Sequence, residues 1–170
     1  MKNETNRQNT SDTYPVREKT PDCDKKIEDF FYDTFYLPFG MTSLPREILN
    51  APYYRKFFFN LGREKGDLCF EACDTATNEI VGVVWTRLIH YDSGCDCRTP
   101  FLLISVLTQY RGRGIGSSLM RRILAELKNA GYTKVFLSVH YQNRAIALYE
   151  KFGFSIYGSD GDCYLMAKSL

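Results

Sequence analysis

Residues 101–139 read FLLISVLTQYRGRGIGSSLMRRILAELKNAGYTKVFLSV. Phe101–Leu107 is a continuous apolar run, the pattern of a strand buried on both faces. From Ile115 to Asn129 the residues Ile115, Leu119, Ile123, Leu124 and Leu127 form one apolar stripe of a helix. Gly131 suits the end of that helix, and Lys134–Val139 is a second buried strand. Strand, helix and strand in this order predict a βαβ unit with parallel strands and a right-handed crossover.

The joint between the first strand and the helix is Arg111-Gly112-Arg113-Gly114-Ile115-Gly116-Ser117-Ser118. Glycines at alternate positions let the backbone take dihedrals that are costly for other residues. Without Cβ atoms their N–H groups can also approach a ligand closely. The first turn of the helix adds unbonded N–H donors and a partial positive charge. Together these features describe an anion site, to which Arg111 and Arg113 add charge and Ser117 and Ser118 add hydroxyls. A dinucleotide fingerprint needs G-x-G-x-x-G, and Ser117 stands where its third glycine belongs. A P-loop ends in Gly-Lys-Ser/Thr, which this stretch lacks.

Outward from this unit, residues 1–12 are polar after Met1 and read as a flexible tail, with a single domain over 13–170. Tyr14–Lys19 is a short first strand. A helix follows, capped by Asp22 or Asp24, with Ile27, Phe30, Phe31, Thr34 and Phe35 at helical spacing and a stop at Pro38 and Gly40. Thr42 or Ser43 then caps a second helix that runs to about Leu61. Asp67–Cys73 and Glu79–Ile89 are strands, and His90–Arg98 is a polar loop. A short helix spans Arg144–Lys151. Phe154–Tyr157 and Cys163–Lys168 close the chain, joined by a turn over 158–162. The order is βααβββαβαββ, a mixed α/β (α+β) fold with a central sheet of six or seven strands flanked by about four helices.

The length of 170 residues argues for one core. A net charge of +2, from 22 basic and 20 acidic residues, supplies no field for nucleic acid or a membrane surface. No apolar run reaches the length of a membrane span, and Met1–Thr13 lacks the apolar stretch of a secretion signal. A cytoplasmic setting is therefore expected, with the cysteines reduced. Cys95 and Cys97 lie near His90, and Cys69 and Cys73 are four apart. Neither spacing matches a four-ligand zinc site, so no metal is expected.

Arg111-Gly-Arg-Gly114-Ile-Gly116 resembles the R/Q-x-x-G-x-G/A motif of the GNAT acetyltransferase superfamily. Asn143-Arg-Ala145-Ile-Ala-Leu148-Tyr149-Glu-Lys-Phe152-Gly153-Phe154 is similar to the second signature of that family, N-x-(x)-A-x-x-L-Y-x-x-x-G-F. The two motifs stand in the family's order, and the element order agrees over about residues 14–170. The resemblance implies a GNAT-type fold and direct transfer of an acetyl group from acetyl-CoA to a primary amine, on a small molecule or a protein. A non-catalytic module that binds acyl-CoA is the alternative.

The resemblance also implies roles. Arg111, Gly112, Arg113, Gly114, Ile115, Gly116 and Ser117 would hold the CoA pyrophosphate. Main-chain groups of Ile104, Ser105 and Val106 would pair with the pantetheine arm. Asn143, or Gln142 if the alignment shifts by one, would face that arm, and Tyr149 would protonate the leaving thiolate. Many relatives carry a glutamate early in the fourth strand, where this chain has Phe101, Leu102 and Leu103. That leaves His90, Asp92 and His140 as candidate bases. The acceptor groove would lie near Leu37–Leu44 and Tyr157–Tyr164, where Asp160 and Asp162 could attract a cation or serve only as turn residues. A homodimer is compatible with the sequence, which does not specify oligomeric state.

Overall fold

The computed structural model describes residues 10–37, 40–90 and 98–170. Pro38, Asp92, Cys95, Cys97 and residues 1–9 of the tail lie outside the described residues. Residues 10–13 form a helical turn, in which the Tyr14 N–H donates to the Thr10 carbonyl at 2.8 Å. The elements are then β1 (Val16–Glu18), α1 (Pro21–Tyr32), a 3-10 turn (Arg46–Asn50), α2 (Pro52–Arg55), β2 (Leu68–Cys73), β3 (Ile80–Arg87) and β4 (Phe101–Val106). A second 3-10 turn (Thr108–Tyr110) precedes α3 (Ile115–Asn129), β5 (Lys134–His140), α4 (Ile146–Lys151), β6 (Ser155–Asp160) and β7 (Cys163–Ser169).

The strands form one seven-stranded sheet in the order β1-β2-β3-β4-β5-β7-β6. All neighbours are antiparallel except β4 and β5, the parallel pair expected of the βαβ unit. Strand alternation divides the core between two faces. Phe101 and Leu103 of β4 pack with Ile27, Phe30 and Phe31 of α1 and with Phe57 and Phe58. Leu102 packs with Leu119, Ile123 and Leu127 of α3 and with Tyr149 of α4, and Ile104 and Val106 join that side. No helix among the described residues is long and apolar enough to cross a membrane.

The sequence pattern misses at α1, which Thr20 rather than Asp22 or Asp24 precedes and which ends at Tyr32 before Pro38, and in two later places. The helix expected from Thr42 or Ser43 to Leu61 is broken into a 3-10 turn, the four residues of α2 and a run of turns. Proline is the cause. Pro52 has no N–H to donate, and its ring forces Ala51 to φ −65°, ψ 132°, which ends the preceding turn. β6 also runs on to Asp160, so the closing hairpin turns on Gly161-Asp162 with Gly161 at φ 54°. The aromatic residues of this region form a core in which the Phe31 ring lies 4.9 Å from Phe58 and 5.6 Å from Phe57.

One buried ion pair holds the irregular segment to the sheet. Arg87 Nε and Nη2 donate to the two oxygens of Asp67 at 2.9 and 2.6 Å, and Nη1 donates to the Phe59 carbonyl at 2.6 Å and the Lys56 carbonyl at 3.2 Å. Asp67 also accepts the Gly62 N–H at 2.8 Å. Its side chain is 0% exposed and that of Arg87 is 6% exposed. Removing one partner strands a buried charge, which costs about 3–5 kcal/mol. Asp67→Ala is therefore expected to lower unfolding free energy by about that amount in urea denaturation, with the slope unchanged. A loss no larger than that of an exposed ion pair would show that the network does not anchor the fold.

Candidate active site

The parallel strands meet and then separate. Phe101 and Phe136 are the only residues of β4 and β5 in register, and the Phe136 N–H donates to the Pro100 carbonyl at 3.1 Å. Beyond that point β4 stays paired with β3 through Gly82–Val106, while β5 stays paired with β7 through His140–Cys163. A cleft thus opens between their C-terminal halves. The Leu107 N–H donates to the Val81 carbonyl at 2.9 Å. By alternation the main chain of Ser105 faces β3, and that of Ile104 and Val106 faces the gap. Of the three residues expected along the pantetheine arm, Ile104 and Val106 thus turn their main chain to the gap, whereas the main chain of Ser105 is occupied by β3. The Val106 carbonyl accepts Arg111 Nε at 2.9 Å.

The glycine loop stands at the open end. Gly112 and Gly114 have φ 77° and 83°, the left-handed region where a Cβ is strained. The first helical bond of α3 runs from the Ser118 N–H to the Gly114 carbonyl at 3.1 Å. The N–H groups from Gly112 to Ser117 donate to no backbone carbonyl among the described residues. They are therefore available to an anion. At Gly116 a Cβ would come within 3.3 Å of Leu148 Cδ2, so the missing side chain lets α3 begin against α4.

The charged and hydroxyl groups of the loop divide. Arg113, expected at the ligand, instead donates to the Tyr14 hydroxyl at 2.8 Å and to the Gln109 carbonyl at 3.0 Å. The Thr10 hydroxyl donates to the Arg113 carbonyl at 3.2 Å. Thr10 and Tyr14 thus brace the loop. No local sequence signal could mark them, because they lie about a hundred positions from it. Ser118 is buried and its hydroxyl accepts Arg121 Nη2 at 3.0 Å. Ser117 is half-buried and Ile115 has a buried side chain.

α4, which meets the start of α3 through Leu148 and Gly116, carries the second motif. Tyr149 is 8% exposed, and burial pushes its phenol up to about 12. The Asn143 side-chain oxygen accepts the Ala145 N–H at 2.9 Å, which leaves its amide N–H groups as the donors. Gln142 is exposed and donates its main-chain N–H to His140 Nδ1 at 3.1 Å.

The other side of the cleft is covered by the end of α1 and the chain that follows. Tyr32 donates its hydroxyl to the Leu44 carbonyl and accepts the Leu44 N–H at 3.0 Å. Tyr36 stacks on His140 with ring centroids 4.3 Å apart, and Tyr141 lies on the other side at 4.5 Å. Partial burial pushes the Asp33 carboxyl up, while Arg111 pulls it down. With Nδ1 accepting an N–H, a neutral His140 keeps its proton on Nε2. Such a ring is a wall and an N–H donor. His90 follows β3, whose Arg87 pairs with the first residue of β4. It therefore lies at the end of the sheet away from the opening. The described residues contain no cluster of three or more metal-binding side chains.

Residues 26–154 match the model of the acetyltransferase (GNAT) family. The N-alpha-acetyltransferase of Saccharolobus solfataricus is 34% identical over 137 residues, which cover 71% of this chain and 79% of that protein. Among solved structures, a GNAT-family acetyltransferase from Streptococcus pneumoniae superposes with a TM-score of 0.65 at 22% identity, covering 92% of this chain and 99% of that one. The PaiA N-acetyltransferase of Thermoplasma acidophilum, solved with coenzyme A, gives 0.68 at 17% identity with the same coverages.

The glycine loop can be tested with inorganic pyrophosphate, which is expected to raise the Tm of the wild-type protein. A Cβ at Gly112 would meet nothing within 4 Å. Gly112→Ala then adds only backbone strain of about 1–2 kcal/mol, and Gly112→Glu adds a negative charge as well. Stabilisation by pyrophosphate should survive in the alanine variant and vanish in the glutamate variant. An equal response from both would remove this loop from anion binding.

Proposed function

The chain belongs to the GNAT acetyltransferase family, and on that premise we propose that its cleft transfers the acetyl group of acetyl-CoA to a primary amine, with the α-amine of a polypeptide as the acceptor to test first. The observation that carries the reading is the opening of β4 from β5 beyond Phe101 and Phe136, with unbonded loop N–H groups at its mouth. The family match over residues 26–154 supports the reaction class. The name of the archaeal relative supports the choice of acceptor.

Acetyl-CoA supplies an acetyl group activated as a thioester. In this reading the N–H groups from Gly112 to Ser117 and the Arg111 guanidinium hold its pyrophosphate. The main chain of Ile104 and the N–H of Val106 align the pantetheine arm as an added strand, and the Asn143 amide donates to the same arm. Holding both reactants in register supplies much of the acceleration. The Tyr149 hydroxyl donates a hydrogen bond to the departing sulfur. With its phenol at about 12 it stays protonated at every pH where the amine becomes neutral, so it serves as a donor throughout. Arg113, Tyr14 and Thr10 act at one remove by fixing the shape of the loop.

Acetylation should be measured by mass spectrometry with acetyl-CoA and two probes, an alanine-initiated hexapeptide and 2-phenylethylamine. The peptide is expected to be acetylated at its α-amine. Acetylation of the amine alone would transfer the activity to small molecules, and acetylation of neither would overturn the reading. Tyr149→Phe should lower kcat by about 10²-fold or more while leaving the affinity for acetyl-CoA unchanged. The rate of the wild type should rise with pH as the amine loses its proton. It should not fall again through Tyr149 until the pH approaches about 12.

A further inference from the structure

Ser105 is the one polar residue in the strand FLLISVL, and it is 4% exposed. Its hydroxyl oxygen is buried and has no hydrogen-bond partner among the described residues. A buried hydroxyl without a partner loses its hydration with nothing in return, and an alanine of nearly the same volume would avoid that cost. A group kept at such a disadvantage calls for a partner that arrives from outside.

Its position indicates which partner. In β4, Phe101 and Leu103 point to the α1 side of the sheet and Leu102 to the α3 side. Ser105 therefore points to the α1 side, away from α3 and α4. In β5, Phe136 points to the α1 side, whereas Val135, Leu137 and Val139 point to the other. His140 thus shares the face of Ser105. From the pair Phe101–Phe136, equal steps along both strands bring Ser105 level with His140 across the gap. The His140 ring is covered by Tyr36, from the chain after α1. The hydroxyl accordingly stands at the edge of the cleft, on the face opposite the glycine loop's helix and beneath the chain that follows α1.

We propose that the Ser105 hydroxyl is a catalytic residue that accepts a hydrogen bond from the N–H of the incoming amine and aims its lone pair at the acetyl carbon. This rests on the reading of the cleft given above. The amine nitrogen bonds to the acetyl carbon as the carbon–sulfur bond breaks. The electron pair leaves with sulfur, and the proton lost by nitrogen balances the one the thiolate takes up. Serine is no base at neutral pH, so it sets direction and leaves the net proton transfer to water and the leaving group. A strand without a carboxylate at Phe101, Leu102 or Leu103 fits this division.

Ser105→Ala separates the role from mere packing, since the hydroxyl bonds to nothing among the described residues. The variant should keep or raise its Tm, because no internal hydrogen bond is lost. Its KM for acetyl-CoA should stay within about twofold, while kcat/KM for the alanine-initiated hexapeptide should fall about tenfold or more. If 2-phenylethylamine is the probe the wild type uses, the same fall is expected with it. A Ser105→Ala protein that matches an active wild type on the acceptor would overturn the proposal and leave the acetyltransferase reading intact. A fall traced entirely to a raised KM for acetyl-CoA would also overturn it. A wild type inactive on both probes would overturn this proposal together with the reading it rests on.

Discussion

The molecule turns on the single register contact between its two parallel strands. Parallel neighbours in a sheet ordinarily stay bonded along their shared length, because an unpaired main-chain group in the interior is costly. Here β4 and β5 are joined at Phe101 and Phe136 and then follow different partners. The antiparallel ladders on either side, β3 with β4 and β5 with β7, hold each strand rigid while the two part. The price of the opening is that, with the Val106 carbonyl taken by Arg111, the main chain of Ile104 and the N–H of Val106 face the gap. An extended ligand that pairs like a strand satisfies them, and it also sets the length and direction of what can bind.

The rest of the site follows from that split. α3 starts where the opening ends, so its first N–H groups point towards the end of any ligand lying in the gap. The loop before α3 needs residues at positive φ, which Gly112 and Gly114 supply. It needs to approach α4, which Gly116 allows. It also needs to hold its shape without a ligand, and Arg113 does this through Tyr14 and Gln109. A basic residue of the glycine loop can thus be spent on the protein itself. Arg111 and Arg113 are two positions apart, yet one reaches the end of β4 and the other the amino-terminal turn.

The βαβ unit was legible because its signals are local: unbroken apolar runs, a helical stripe, and glycines at fixed offsets. The second motif was legible for the same reason. The segment from Thr42 to Leu61 was not, because its aromatic residues satisfy a helical spacing while Pro45 and Pro52 forbid the continuous hydrogen-bond ladder. The hydrogen bond from the Gln142 N–H to His140 Nδ1 likewise has no signature in the spacing of the sequence. The bracing by Thr10 and Tyr14 is a tertiary contact with no local signature. Ser105 was visible in the sequence as the lone polar residue of an apolar strand, but its main chain was the part singled out. Only the register with β3 turns attention from the backbone to the side chain.

Alternation along β4 then explains how one strand can serve two substrates. Its main-chain edge faces the gap, its even-numbered side chains support α3, and its odd-numbered side chains look towards α1. In the proposed reading, a donor lying in the gap would touch the first set and the helix beneath the second, and an acceptor entering under the chain after α1 would meet the third. The two reactants would then approach the same short length of strand from different directions, with no need to share a pocket. Such an arrangement favours direct transfer, because each ligand can be held by its own face while the reacting atoms meet at the edge between them.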